Sequence, residues 1–95
     1  KPANRAVAWK LGMAQLGNGH PAEALASFDR AKALGQGGAR DIGVPAIRAA
    51  LRSGNEAKAA EWAIWALRAY PRIRDEIAAD RELAPVLALP AVRAP

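Results

Sequence analysis

Leu16-Gly17-Asn18-Gly19-His20-Pro21-Ala22-Glu23-Ala24 and, 35 positions later, Leu51-Arg52-Ser53-Gly54-Asn55-Glu56-Ala57-Lys58-Ala59 decide the reading of this chain. In each stretch a leucine is followed by a glycine turn, and a run rich in small residues starts directly after it. Glycine supplies the left-handed backbone that a sharp reversal needs. Pro21 suits the first position of a helix, where its missing N–H costs nothing, and Asn55 is a good helix cap. Leu16, Gly19, Ala22, Ala24 and Ala31 recur as Leu51, Gly54, Ala57, Ala59 and Ala66. Alanine matches mean little in a chain with 25 alanines, but the paired leucines and turn glycines, with helix ends in register, mark an internal repeat.

Outward from these turns, glycine and proline divide the chain into helical pieces. The first covers residues 5 to 16. The second runs from Pro21 to about Leu34 and stops at Gly35-Gln36-Gly37-Gly38. A third covers about 44 to 52, because Pro45 delays its start to near Gly43 or Val44. The fourth runs from Glu56 to Tyr70, closed by Pro71. A shorter helix follows at 72 to 79, and Asp80 caps one more turn. Nothing reads as a strand, so the fold class is all-α.

Composition agrees. The 95 residues are one domain's worth, 52% apolar and 24% charged, neither disordered nor fibrous. With 25 alanines against 9 leucines and 5% aromatics, the apolar share favours closely packed helices. Without cysteine there is no disulfide framework and no cysteine-based metal site. That suits a reducing cytoplasm and many envelope proteins alike. No apolar stretch approaches the roughly 20 residues of a membrane span; the longest, Ala84 to Val92, is broken by Pro85 and Pro90. Residue 1 is Lys rather than Met, which points to a processed or excised N-terminus.

Leu11-Gly12, Gly19, Ala24, Phe28 and Ala31, repeated more loosely as Gly54, Ala59, Ala66 and Pro71, resemble the tetratricopeptide repeat. The resemblance covers about residues 5 to 72. It implies two helical hairpins, residues 5–38 and 39–72, with 73–95 as a C-terminal cap and tail. Physically, small residues at Gly12, Ala24 and Ala31 let two helices approach while Leu11 and Phe28 fill the gap. Three features depart from the family pattern. Trp9 stands one residue nearer to Leu11-Gly12 than the usual tryptophan, Pro45 replaces a large apolar residue, and Ala63 holds the aromatic position beside Trp62. The stretch from Ile73 to Val92 is similar to the segment that closes many bacterial tetratricopeptide proteins. A stack of repeats needs such a cap over its last apolar face.

Catalytic chemistry finds no constellation. His20 is the only histidine and sits in a turn. Ser27 and Ser53 have no base nearby in sequence, and Asp75, Glu76, Asp80 and Glu82 read as a solvated face. Gly35-Gln36-Gly37-Gly38 lacks the lysine and the preceding strand of a phosphate loop. The expectation is a non-enzymatic chain with no metal or cofactor.

Binding surfaces are better marked. The first helix is apolar nearly all round: Val7, Ala8, Leu11 and Ala14 form one stripe, and Trp9, Met13 and Leu16 another. In the family, the first helices of successive repeats line a concave groove for a peptide or partner helix. By position this implies a groove of Trp9, Met13 and Leu16 with Val44, Arg48, Leu51 and Arg52 opposite, apolar at one end and basic at the other. Such a groove fits a protein or peptide that is apolar with acidic residues. The alternative for Trp9 is packing in the core. Trp9 and Met13 disfavour the version of the family that clamps a chaperone's terminal carboxylate with lysines and asparagines.

On the fourth helix, Ala59, Ala63, Ala66 and Tyr70 form a core stripe, while Ile64 and Trp65 point elsewhere. An indole buries about 150–250 Å², so the tail (Ile73, Ile77, Leu83, Val86, Leu87) covers it or a second copy does. Two repeats and a cap make a small core, so the chain is expected to form a homodimer or to be part of a longer chain. The net charge of +5 supports a second reading, nucleic-acid binding through Arg48, Arg52, Arg68, Arg72 and Arg74, although no aromatic platform is interleaved with them. A third reading is a substrate-recruiting accessory segment of a larger enzyme.

Overall fold

Three glycines, Gly19, Gly35 and Gly54, take positive φ, and each ends a helix. After Leu16 the N–H of His20 reaches back to the Gln15 carbonyl at 2.9 Å; after Leu51 the N–H of Asn55 reaches the Ala50 carbonyl at 2.9 Å. Both turns are therefore closed by the same glycine-dependent motif, which uses carbonyls the helix end leaves unpaired. Asn55 then caps the following helix by accepting from the Lys58 N–H at 3.0 Å.

The computed structural model describes residues 7–36 and 38–93. They form α1 (Val7–Gly17), α2 (Pro21–Ala33), α3 (Ala39–Arg52), α4 (Glu56–Ala69), α5 (Ile73–Ala79), a 3-10 segment (Ala84–Ala88) and α6 (Pro90–Arg93). The protein is all-α, with no strand among the described residues. Arg5, Ala6, Gly37, Ala94 and Pro95 of the expected repeats and tail, and the side chain of Val7, lie outside the description. α1 packs on α2 and α3 on α4; α3 also packs on α2 and touches α1. The C-terminal elements lie against α3 and α4. The radius of gyration, 12.7 Å, matches the roughly 12–13 Å of a compact chain of this length.

α3 begins earlier than its proline suggests, at Ala39 rather than near Gly43 or Val44. The Asp41 carboxylate accepts from the Gly38 N–H at 3.3 Å, holding the first turn. Ala39, Ile42, Gly43 and Ala46 are buried along that turn and the next. This burial outweighs the hydrogen bond that Pro45 removes.

On α1 the inward face is neither of the two expected stripes. Ala8, Gly12 and Leu16 are buried, whereas Leu11 is 47% exposed. A Cβ at Gly12 would stand 2.9 Å from Phe28 Cε1. The Phe28 ring therefore lies close against Gly12 and fills the space assigned to Leu11. Neighbouring residues of a helix point about 100° apart, so with Gly12 facing α2, Leu11 turns outward.

On α4, Ala59, Ala63 and Ala66 are fully buried as the stripe predicts, and Trp62 joins them at 1% exposure. The Trp62 indole N–H donates to Asp29 Oδ1 at 3.1 Å, and Lys58 meets the other oxygen of that carboxylate at 3.1 Å. Asp29 of α2 thus ties both hairpins together at a buried aromatic. Ile73, Ile77, Leu83 and Val86 are fully buried, so the C-terminal segment packs into the core.

Candidate functional site

α1 carries the first part of the expected groove. Leu16 is buried at 9%, Trp9 is half-buried against the core, and Met13 is 43% exposed. Gln15, on the other flank of α1, accepts from the Ser27 hydroxyl at 2.6 Å. Ser27 lies on the side of α2 away from Asp29 and Lys32, the residues that reach α4. Trp9, Met13 and Leu16 occupy the α1 flank more than about 90° from Gln15, away from its contact with Ser27.

The α3 residues are in a different setting. Gly43 is close to Ile73 at the start of α5, since a Cβ there would stand 3.1 Å from Ile73 Cδ1. Arg48 binds Asp80 beyond the end of α5. Those two positions are about 140° apart around α3, and Val44 and Leu51 fall in the arc between them. Both are half-buried and pack against the core. The face bearing Val44, Arg48, Leu51 and Arg52 is therefore bordered by the chain's own C-terminal segment.

The arginines show this most directly. Arg48 Nη2 donates to Asp80 Oδ2 at 2.7 Å and Nη1 to Glu82 Oε1 at 2.8 Å. Arg52 grips Glu82 with two parallel bonds, Nε to Oε2 at 2.7 Å and Nη2 to Oε1 at 3.0 Å. Asp80 is held from its own side too, its Oδ1 accepting from the N–H groups of Glu82 and Leu83 at 2.9 and 3.3 Å. Asp80 therefore caps the turn, as expected, while its second oxygen binds α3. The Arg48 guanidinium, followed by the backbone N–H of Glu82, holds the Asp80 carboxyl below its usual range. Arg52 and then Arg48 do the same for Glu82. In return, the bond to Asp80 raises Arg48 and the bond to Glu82 raises Arg52.

Two expectations are corrected here. Asp80 and Glu82 are not a merely solvated face, and Arg48 and Arg52 are not an open basic end. Spacing alone hides this pairing, because the partners are 30 to 34 positions apart. The available signal was complementary charge: arginines one turn apart on α3, and acids two apart just after a short helix.

On α4, Ile64 and Trp65 are half-buried against the core. They line an open pocket of about 520 Å³ with Lys32, Glu61, Arg68 and Ala69. All six come from α2 and α4, so tail residues do not line this pocket. Lys32 Nζ stands 4.9 Å from the Trp65 ring centre and 5.0 Å from that of Trp62, which meet edge to face at 5.1 Å.

His20 is exposed in its turn, 3.9 Å from Glu23. Among the described residues no cluster of His, Asp or Glu is arranged to hold a metal, and no helix is long and apolar enough to cross a membrane. Comparisons of the chain with protein-family models, curated proteins and solved structures found no match.

Proposed function

We propose that this chain is a non-enzymatic protein-interaction module of tetratricopeptide-like hairpins, which receives an apolar partner helix or peptide on the α1 flank that bears Trp9 and Met13. The observation that supports it is the Trp9–Met13 pair. These residues are one turn apart on a helix whose buried face is already supplied by Ala8, Gly12 and Leu16. An aromatic and a thioether left at the surface on one flank make an adaptable apolar anchor. Lys10 adjoins it, and Arg52 keeps 45% of its side chain exposed. Carboxylates beside the partner's apolar anchor complement both. The nucleic-acid reading is weakened, because Arg48 and Arg52 already hold carboxylates of the chain itself.

Selection from a random peptide library on the immobilised protein tests the reading. The expected winners combine apolar residues with Asp or Glu, lose binding to Met13→Lys, and keep it with Lys32→Gln in the α2–α4 pocket. A selection in which no winner depends on Met13, or no enrichment at all, would overturn it.

A further inference from the structure

The pocket between α2 and α4 shares no lining residue with the α1 flank. Its apolar lining is Trp65, Ile64 and Ala69. Its polar lining is two cations, Lys32 and Arg68, and one exposed carboxylate, Glu61, whose Oε1 stands 3.7 Å from Lys58 Nζ. Lys32 and Arg68 form no ion pair among the described residues; the side chain of Lys32 is spread over two indole rings instead. A lysine on indole faces has donors to spare, since the ring quadrupole supplies no hydrogen-bond acceptor of carboxylate strength. The pocket thus combines apolar surface with an excess of positive charge and is open to solvent.

The geometry points to an acidic peptide segment as its occupant, one whose aliphatic side chain rests on Trp65 and Ile64 while flanking carboxylates accept from Lys32 and Arg68. A volume of about 520 Å³ holds one large side chain and its neighbours, within the roughly 300–1,000 Å³ usual for such clefts. An uncharged apolar segment would leave both cations without partners. A second copy of this chain would have to present an acidic surface, which a protein of net charge +5 is poorly placed to offer.

The test is a titration of the full chain, labelled with nitrogen-15, with the peptide acetyl-Glu-Leu-Glu-Leu-amide and its Gln-Leu-Gln-Leu counterpart. The acidic peptide should shift the Trp65 indole N–H and the amides of Lys32, Ile64 and Arg68 saturably, and added salt should weaken it. Lys32→Gln and Arg68→Gln, both at exposed positions, should each lower affinity by roughly two- to fivefold, with helical content unchanged by circular dichroism. Equal binding of the neutral peptide, shifts confined to α1, or no saturable shift would overturn the assignment. So would a Trp65 signal that moves with protein concentration alone, since that would place a second copy on this face.

Discussion

Gly12→Ala sets two effects of opposite sign against each other, and the structure decides between them. Alanine inside a helix is favoured over glycine by about 1 kcal/mol, so propensity alone predicts stabilisation. The new methyl, however, would stand 2.9, 3.0 and 3.0 Å from three carbons of the Phe28 ring. Phe28 is fully buried, and a flat ring cannot bend aside as a flexible chain end can. Forcing such a methyl into a packed core costs about 1–3 kcal/mol. The net loss is therefore about 1 kcal/mol, a fall in Tm of about 4–8 °C for a chain of this size. Gly17→Ala is the control, because that position has open space and no positive φ, so only the helix preference remains and Tm should hold or rise. Thermal denaturation followed at 222 nm reads both variants. Phe28→Leu in the Gly12→Ala background should recover part of the loss, with a coupling of about 0.5 kcal/mol or more. A Gly12→Ala protein as stable as the parent would refute the close approach of α1 and α2, and with it the orientation that leaves Met13 outside.

Other predictions follow from the polar contacts. Asp80 and Glu82 have folded values held below their ordinary 3.8 and 4.5, so their contribution is complete above that range and is lost as pH falls below it. Thermal melts should decline across this acid window, and Arg48→Gln should flatten the decline; an unchanged profile would dismiss the contact between tail and α3. Trp62→Phe removes the donor to Asp29 and should lower stability by about 1 kcal/mol from the hydrogen bond alone, more with the lost ring volume, as denaturant unfolding would measure. Gly54→Ala forces a side chain into φ +76° and should cost about 1 kcal/mol, whereas a neutral result would contradict the turn geometry. Light scattering over a wide concentration range should give a monomer if the C-terminal cap completes the core, and a dimer would show that it does not.

What the sequence determined by itself is the all-α class, the turns and most helix ends. Those features rest on short-range physics: a glycine able to take positive φ, a proline at a first helical position, an Asn or Asp oxygen two or three residues from the N–H groups it accepts. Each works with only its neighbours present. The fourth helix was legible for the same reason, and its alanine stripe followed from helical spacing.

Tertiary structure decided the rest. Pro45 reads as a late helix start, yet burial of Ala39, Ile42 and Gly43 pulls α3 back to Ala39. Leu11 reads as a core residue, but Phe28 claims the space against Gly12 and turns it out to solvent. Arg48 and Arg52 read as charges offered to a partner, whereas the path of the tail sets Asp80 and Glu82 against them. Trp62 reads as the neighbour of a core position and becomes the buried junction of two hairpins through Asp29. In all four cases the outcome depends on atoms some 16 to 34 residues away, brought near only when the helices pack. Local pattern states which residues need a partner, and packing decides which partner each receives.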